Sequence, residues 1–595
     1  MSDSSDRGGT GPTRRHLLAA GAGSTLALAS GCLQRVRTLV DRPARDQLSL
    51  RIKTLPADAD EPGTRIARFL ADRLEAVGVD AEITLLREDE LRRDVLTKGE
   101  FALYVYRMPL GADPDFLRPR LHSVFKGESG WQNPFGLTDI DLDSLLEEQR
   151  QTGSGARRAV VDDVLADVAR LQPFVPVAVP DEISATRDDR FTNWRPNGLD
   201  STTGYLRLDA QADDLAEELV VVATDPRTTQ NLNPIAAEFR DRGTVTGLVY
   251  EPLGRRIGGR VRPWLAEDWE WETTAGSTSV RVELREDSAW HDGEALTASD
   301  VAFTYRFMSD TTLGQREATV PAPRYRGRTS LVEDAVATGD TVVRIDVGET
   351  TPEVGARALT VPILPEHVWR EKSSEAELAG VGVNDRVTEA LVWENPQPVG
   401  SGPLAFDSRP NQGTLLLERN DDHFLHRAGS PAPTDALYGG ADYQHLRIRV
   451  APSSTAAVQL VVDDAADATV PGTDPDVVPQ IGQASEVTLR VGRSPWLYHV
   501  GFDTGMEPLG NPHVRRAIAR LLDKAWIVDE VLDGYGQPAP TPLAGTPWVS
   551  DALAWDGQDP EVPFVGSDGD LDVTEARELF RDIGFQYEDD RLLNR

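Results

Sequence analysis

Between residues 48 and 106 the hydrophobic period changes from strand to helix and back, and this constrains the fold more than any other feature of the chain. Residues 48–55 alternate apolar and polar as a strand does. Ile66, Phe69, Leu70 and Leu74 then recur on one helical stripe that Gly78 ends, and residues 79–86 and 101–106 return to strand patterning. The order along this stretch is strand, helix, strand, strand. Helices are expected at 142–149, beginning near Asp141, and at 157–171, before the apolar Pro173-Phe174-Val175-Pro176-Val177. The chain has 595 residues, and at roughly 100 to 200 residues per domain that requires two or three lobes.

The second half opens on a fully apolar strand at 219–223 and an alternating one at 279–284, where Val280, Val282 and Leu284 share a face. Thr297 and Asp300 form a capping box, which predicts a helix over 298–308. Asp572 and Glu575 open a last helix, in which Ala576, Leu579, Phe580 and Ile583 recur and which Gly584 stops. Trp264, Trp269 and Trp290 are assigned to core.

Charge excludes one class of partner. Against 97 Asp plus Glu stand 62 Lys plus Arg, a net charge of −35, with no basic block of useful length, so the surface repels nucleic acid. Lysine occurs only at Lys53, Lys98, Lys126, Lys372 and Lys524. Acid-rich, lysine-poor composition suits concentrated salt, where screening removes self-repulsion.

Residues 1–47 read as leader and tether. Arg14-Arg15 precede a short Gly/Ala-rich apolar run, 17–29, and resemble a twin-arginine export signal. The run ends at Ala29-Ser30-Gly31-Cys32. Cys32, the only cysteine, cannot make an internal disulfide; its setting resembles a lipoprotein cleavage site, with Ala29 in the position usually given to Leu. The expectation is a haloarchaeal-like lipoprotein, anchored through Cys32 at the extracellular face of the cytoplasmic membrane.

Trp290-His291-Asp292-Gly293 between a strand and a capped helix resembles the peptide/nickel-binding family (family 5) of ABC-transporter solute-binding proteins. Ile363-Leu364-Pro365-Glu366-His367-Val368-Trp369, Pro398-Val399-Gly400-Ser401-Gly402-Pro403, Leu417-Glu418-Arg419-Asn420 and Asn511-Pro512-His513-Val514-Arg515-Arg516-Ala517-Ile518 resemble further blocks in the same order. The family should continue past the last helix with an α/β half. Residues 48–175 resemble that half, placed in front.

The resemblance therefore implies a two-lobed, type II-like periplasmic-binding-protein α/β fold with an extra α+β subdomain, circularly permuted. Residues 48–175 would belong to the second lobe, 176–208 would return to the first, 209–218 would join the family's usual termini, 219–485 would form the first lobe with its subdomain, and 486–595 would complete the second. Opening the chain between Gly584 and Leu48 is expected to sever no strand or helix.

It also implies a monomeric receptor that holds a peptide or similar small solute between the lobes and delivers it to ABC permease subunits, without cofactor or metal. Expected ligand contacts are Tyr250 and Glu251, the latter for an ammonium group, Tyr498 and Phe502, and Tyr106 and Arg107, the latter for a carboxylate. Asp113 belongs to the same segment. It fits the family's Asp-Pro better than its amine anchor, because Met108-Pro109-Leu110-Gly111-Ala112 replaces the Trp-containing stretch. Peptide specificity is left open.

Other classes are a surface-anchored hydrolase, a structural surface protein, and a nickel or sugar receptor of the same family. The chain has no H-E-x-x-H, no G-x-S-x-G, no phosphate loop and no catalytic cysteine. His423 and His426 have metal-like spacing but no third ligand nearby, and read as surface histidines.

Overall fold

Asp60 accepts from the Gly63 amide at 3.1 Å and so starts helix α1 (Glu61–Ala76), which buries Ile66, Phe69, Leu70 and Leu74 as one stripe. Strands β1 (Ser49–Thr54) and β2 (Asp80–Leu85) flank it and pair in parallel, with Ile52 opposite Ile83. Gly78 turns the chain between them at φ 89°, where a Cβ would stand 2.2 Å from the Asp590 carbonyl oxygen, so only glycine fits. These elements come from a computed structural model that describes residues 46–594 except 213–214, 237–242, 275, 377–386 and 428–440. Arg14, Arg15 and Cys32 lie outside the described residues.

The chain continues through β3 (Leu103–Pro109), α2 (Ile140–Gln151) and α3 (Ser154–Leu171) to β4 (Phe174–Arg187). Then come β5 (Ala216–Ala223), β6 (Ala266–Thr274), β7 (Ser277–Leu284), α4 (Ala298–Ser309), β8 (Asp334–Ala337) and β9 (Val342–Asp346). The capping box of α4 forms as its spacing requires, with the Thr297 amide 2.9 Å from the Asp300 carboxylate. Strands β10 (Leu404–Asn411), β11 (Thr414–Arg419), β12 (Tyr443–Val450), β13 (Ala468–Thr469), β14 (Val487–Arg493) and β15 (Trp496–Phe502) follow. The last elements are α5 (Pro512–Ala519), β16 (Gly536–Pro538), α6 (Val573–Asp582), β17 (Gln586–Glu588) and β18 (Arg591–Leu593).

Two lobes share β4, which runs well past the apolar residues that announce it. Its first half pairs with β15 and β16 in a sheet that continues through β3 and β1 to β2; from Asp181 onward it pairs with β14 and β13 in a sheet that continues through β5, β12 and β11 to β10. The chain crosses between lobes in β4 near Pro180 and again at Ser494-Pro495, between β14 and β15. Two adjacent extended crossings are the usual form of a hinge. A separate antiparallel sheet, β6-β7-β9-β8, with α4 against it, makes the α+β subdomain.

The second lobe is built from both ends of the chain. Leu50, Ile66, Leu70, Val105 and Val175 are buried in one core with Val500, Val514, Ile518, Phe580 and Leu592. Contrary to the expectation of an open connection after Gly584, β17 and β18 form a hairpin there. Its turn residues Asp589 and Asp590 both have positive φ, 49° and 65°, as a two-residue type I′ turn needs. The hairpin's far strand meets the start of β1, with the Leu48 amide donating to Leu592 O at 2.8 Å and the Leu592 amide to Gly78 O at 2.8 Å.

His499 lies fully buried on β15, Nε2 at 2.9 Å from Tyr104 Oη and ringed by Trp131, Phe135 and Phe174. Burial lowers its pKa to about 3. The native chain therefore holds it neutral, whereas the unfolded chain protonates it below about pH 6.5. Between those values the unfolded state binds the extra proton, so stability falls as pH falls, by about 1.4 kcal/mol per unit. In urea unfolding, His499→Gln is expected to lose about 2 kcal/mol less than the parent between pH 7 and pH 5. Equal losses would mean that the native ring titrates normally.

Candidate functional site

A cavity of about 1310 Å³ opens between the lobes. It exceeds the roughly 300–1,000 Å³ of a drug-sized ligand site. The second lobe contributes Tyr106 and Trp131, stacked with centroids 6.4 Å apart, and Trp496 at the start of β15; the first contributes Tyr250 and Tyr325. Aromatic walls offer large apolar contact at low entropic cost.

Four of the seven candidate ligand residues line this cavity: Tyr106, Arg107, Asp113 and Tyr250. Tyr106 and Arg107 stand near the carboxyl end of β3. The Tyr106 hydroxyl donates to Glu88 (2.7 Å) and accepts from Arg92 (2.9 Å), and Arg107 is 3.7 Å from Asp60. Asp113 takes two hydrogen bonds from Arg157, at 2.7 and 3.0 Å, and caps the short turn Pro114–Phe116. Burial opposes its charge, but Arg157 and Arg357 outweigh that and hold the carboxyl below its ordinary value. Asp113 is thus anchored to protein cations rather than presented to a ligand ammonium.

Glu251, Tyr498 and Phe502 are placed elsewhere. Tyr250 has extended backbone, so successive side chains point to opposite sides: Tyr250 meets the cavity and accepts from Asn395 at 2.7 Å, while Glu251 turns inward. Tyr250 borders the cavity with only 1% of its surface exposed; Glu251 is fully buried, 3.0 Å from His423 Nε2 and hydrogen-bonded by the Trp264 indole. Burial pushes against its ionisation, yet His423 and Trp264 keep its carboxyl below the usual range. His423 is accordingly a core residue, 4% exposed, and not the surface histidine its sequence setting suggests. Tyr498 donates to Asp60 at 2.7 Å, behind Arg107. Phe502 lies six residues beyond Trp496 on β15, about 20 Å deeper at 3.3 Å per residue, and is fully buried. The expected ammonium role of Glu251 and the ligand roles of Tyr498 and Phe502 do not match these positions.

Two of the quoted motifs support the cavity wall rather than line it. The His291 amide donates to Gly400 O at 2.8 Å, and the His291 ring is 2.9 Å from Gly402 O. The Gly402 amide then donates to Val249 O at 2.8 Å, while a Cβ on Gly400 would sit 2.0 Å from that same oxygen. This close backbone stack fixes the turn that presents Tyr250.

Sequence reading missed Trp131, Arg324, Tyr325 and Arg328, all of which line the cavity. The available signal was Pro323-Arg324-Tyr325-Arg326-Gly327-Arg328, three arginines in five residues of an acid-rich chain. Among the described residues no three of His, Cys, Asp and Glu converge as a metal site, and no helix is long and apolar enough to cross a membrane.

The sequence model of the bacterial extracellular solute-binding proteins, family 5 Middle, matches residues 260–594. The oligopeptide-binding protein AppA of Bacillus subtilis (strain 168) is 28% identical over 277 residues, covering 46% of this chain and 44% of its own. Protein XP55 of Streptomyces lividans is 26% identical over 344 residues, covering 57% and 55%. The chain spans about half the length of these curated relatives. Among solved structures, NikZ from Campylobacter jejuni in complex with Ni(L-His) is similar with a TM-score of 0.42 at 18% identity, over 64% of this chain and 65% of that one. AppA from Bacillus subtilis in complex with a nonapeptide also gives 0.42, at 20% identity over 63% and 66%.

Proposed function

Because the chain belongs to family 5 of the bacterial extracellular solute-binding proteins, we propose that it is the extracytoplasmic receptor of an ABC importer, taking up a peptide or similar small solute. The observation that carries this reading is the aromatic-walled cavity of about 1310 Å³ between two lobes joined by paired strand crossings. Ligand contacts on both walls favour the closed arrangement, so solute binding becomes a change of shape that permease subunits can read. No bond is made or broken. In this reading Tyr106, Arg107, Trp131, Tyr250 and Trp496 meet the solute, and Asp113 holds the segment that follows Arg107.

The same proposal keeps the protein a monomer, exported through Arg14-Arg15 and tethered by a lipid on Cys32 to the outer face of the membrane in a salt-rich medium. It also takes the chain to be circularly permuted, with 209–218 joining the family's usual ends. Two observations support the permutation: the second-lobe core drawn from both ends and the Leu48–Leu592 pairing.

Native mass spectrometry of the purified protein tests the function. The expected result is one small molecule per chain, whose readdition to stripped protein raises the melting temperature and lowers the radius of gyration. Hydrolysis of a mixed peptide pool would favour the surface hydrolase. A protein that carries nothing and never compacts would favour a structural role.

A further inference from the structure

Eight arginines and three carboxylates line the cavity, in a chain of net charge −35. Two of the carboxylates are engaged by arginines that do not line it: Asp113 by Arg157, and Glu128 by Arg326 at 2.7 and 2.9 Å. The lining arginines are matched unequally. Arg92 reaches Glu88, Arg107 approaches Asp60 and Arg357 reaches Asp115; Arg255 donates to Gly247 O and Arg120 to the Phe116 and Pro109 carbonyls; Arg120, Arg256, Arg324 and Arg328 make no ion pair among the described residues.

Arg324 and Arg328 converge on one wall. The Arg324 and Arg328 guanidinium carbons stand 5.8 and 5.6 Å from the centroid of the Tyr325 ring, and both side chains are half-buried. Among the described residues the buried Arg324 Nη1 has no hydrogen-bond partner. Arg328 donates to Thr360 O at 3.0 Å and Arg256 to Gly259 O at 2.9 Å. Loss of hydration lowers the Arg328 pKa against an opposing pull from Tyr325, and Arg256 and Arg324 add to the lowering. Arg256 is exposed, but Arg324 and Arg328 are half-buried like charges, which are costly unless an anion joins them. The turn that carries Arg324, Pro323–Tyr325, runs directly into the Arg326–Thr329 turn that carries Arg328 and is bound to the opposite lobe by Gln132, which donates to Pro323 O at 2.9 Å. The cluster therefore sits where closure would enclose a bound group.

Resting on the receptor reading above, we propose that the transported solute is anionic, with a carboxylate or phosphate group seated between Arg324 and Arg328 beside Tyr325 and Arg256 completing its charge. Guanidinium forks match such groups with paired hydrogen bonds. The rest of the solute then lies against Tyr106 and Trp131. Because the site is partly buried, bulk salt screens it less than the acidic surface.

Calorimetric titration of the full chain with triglutamate, with triglutamine blocked as its C-terminal amide so that it carries no carboxylate, and with inorganic phosphate, at one fixed salt concentration, tests this. Triglutamate is expected to bind at least about tenfold tighter than triglutamine. Arg324→Gln with Arg328→Gln should remove about tenfold or more of that affinity while leaving triglutamine unchanged. Competition by phosphate would extend the site to phosphate groups, and its failure would assign the site to carboxylates. The ligand-free double variant should melt within a few degrees of the parent, since relief of the repulsion between two half-buried cations offsets the lost Arg328 bond to Thr360 O and the contacts with the Tyr325 ring; a much lower melt would make these arginines structural and overturn the inference. Equal affinity for the two peptides, or equal loss of both, would overturn it too and leave the receptor reading intact. If none of the probes binds and the purified protein carries a neutral solute, this inference alone fails. If no solute is found by any route, both fail.

Discussion

Arg515→Ala will cost the protein about 3–5 kcal/mol of stability, read as a shift in the urea midpoint. Arg515 lies on α5, is 2% exposed, and among the described residues makes no ion pair. Its charge is instead spent on backbone carbonyls. Nε donates to Leu171 O at 3.0 Å and Gln172 O at 2.9 Å, and Nη1 to Gly510 O at 3.1 Å, with further bonds to Leu171 and Leu509. Leu171 and Gln172 end α3, in the front segment of the chain; Leu509 and Gly510 precede α5, in the rear segment. One side chain thus satisfies the carbonyls at the end of one helix while fixing the entry to another. Burial lowers its pKa to about 10, so it remains charged at neutral pH. Truncation orphans several acceptors at about 1–3 kcal/mol each, offset in part by removal of a buried cation. Arg515→Lys, a single ammonium with three donors, should fall between the two.

Asp115→Ala should destabilise the chain by about 3–5 kcal/mol and loosen the contact between lobes. Asp115 is fully buried on the turn after β3. It accepts from Arg150 on α2 at 3.0 Å, from Gln149 at 2.9 Å, and from Arg357, which belongs to the first lobe. The lobes meet again beside it, where the Thr351 amide donates to Arg150 O at 2.9 Å. Removing the carboxylate leaves two guanidiniums facing each other in a site with little water. The expected signature is a lower melting temperature together with a larger radius of gyration. Asp115→Asn keeps an acceptor but not the charge and should lose roughly half as much. If Asp115→Ala melts lower but scatters identically, Arg357 is not part of the closure.

Much of the architecture was legible because it rests on period and capping. The stripe Ile66, Phe69, Leu70, Leu74 and the Thr297–Asp300 box are local signals, and α1 and α4 follow them. What was not legible depended on where a side chain points after the chain has turned. Tyr250 and Glu251 are neighbours, both able to serve a ligand, yet backbone alternation sends one to the cavity and the other to His423. Tyr498 and Phe502 carry the right chemistry at the wrong depth of β15. The arginine wall escaped notice because net charge averages over the whole surface, whereas a cavity selects a few residues. The hairpin after Gly584 was missed because its strands are short, and only the positive-φ pair Asp589-Asp590 marks it.

The account turns on residues 48–175 and 496–593 being halves of a single lobe that grips the solute. Hydrogen exchange on the full chain, parent beside Arg515→Ala, tests this most directly. Amides of β1, β3 and α3 should open together with those of β15 and α5, and the substitution should lower all their opening energies by the same amount. If the front segment keeps its full protection while α5 and α6 lose theirs, the two are separate bodies and the shared lobe does not exist.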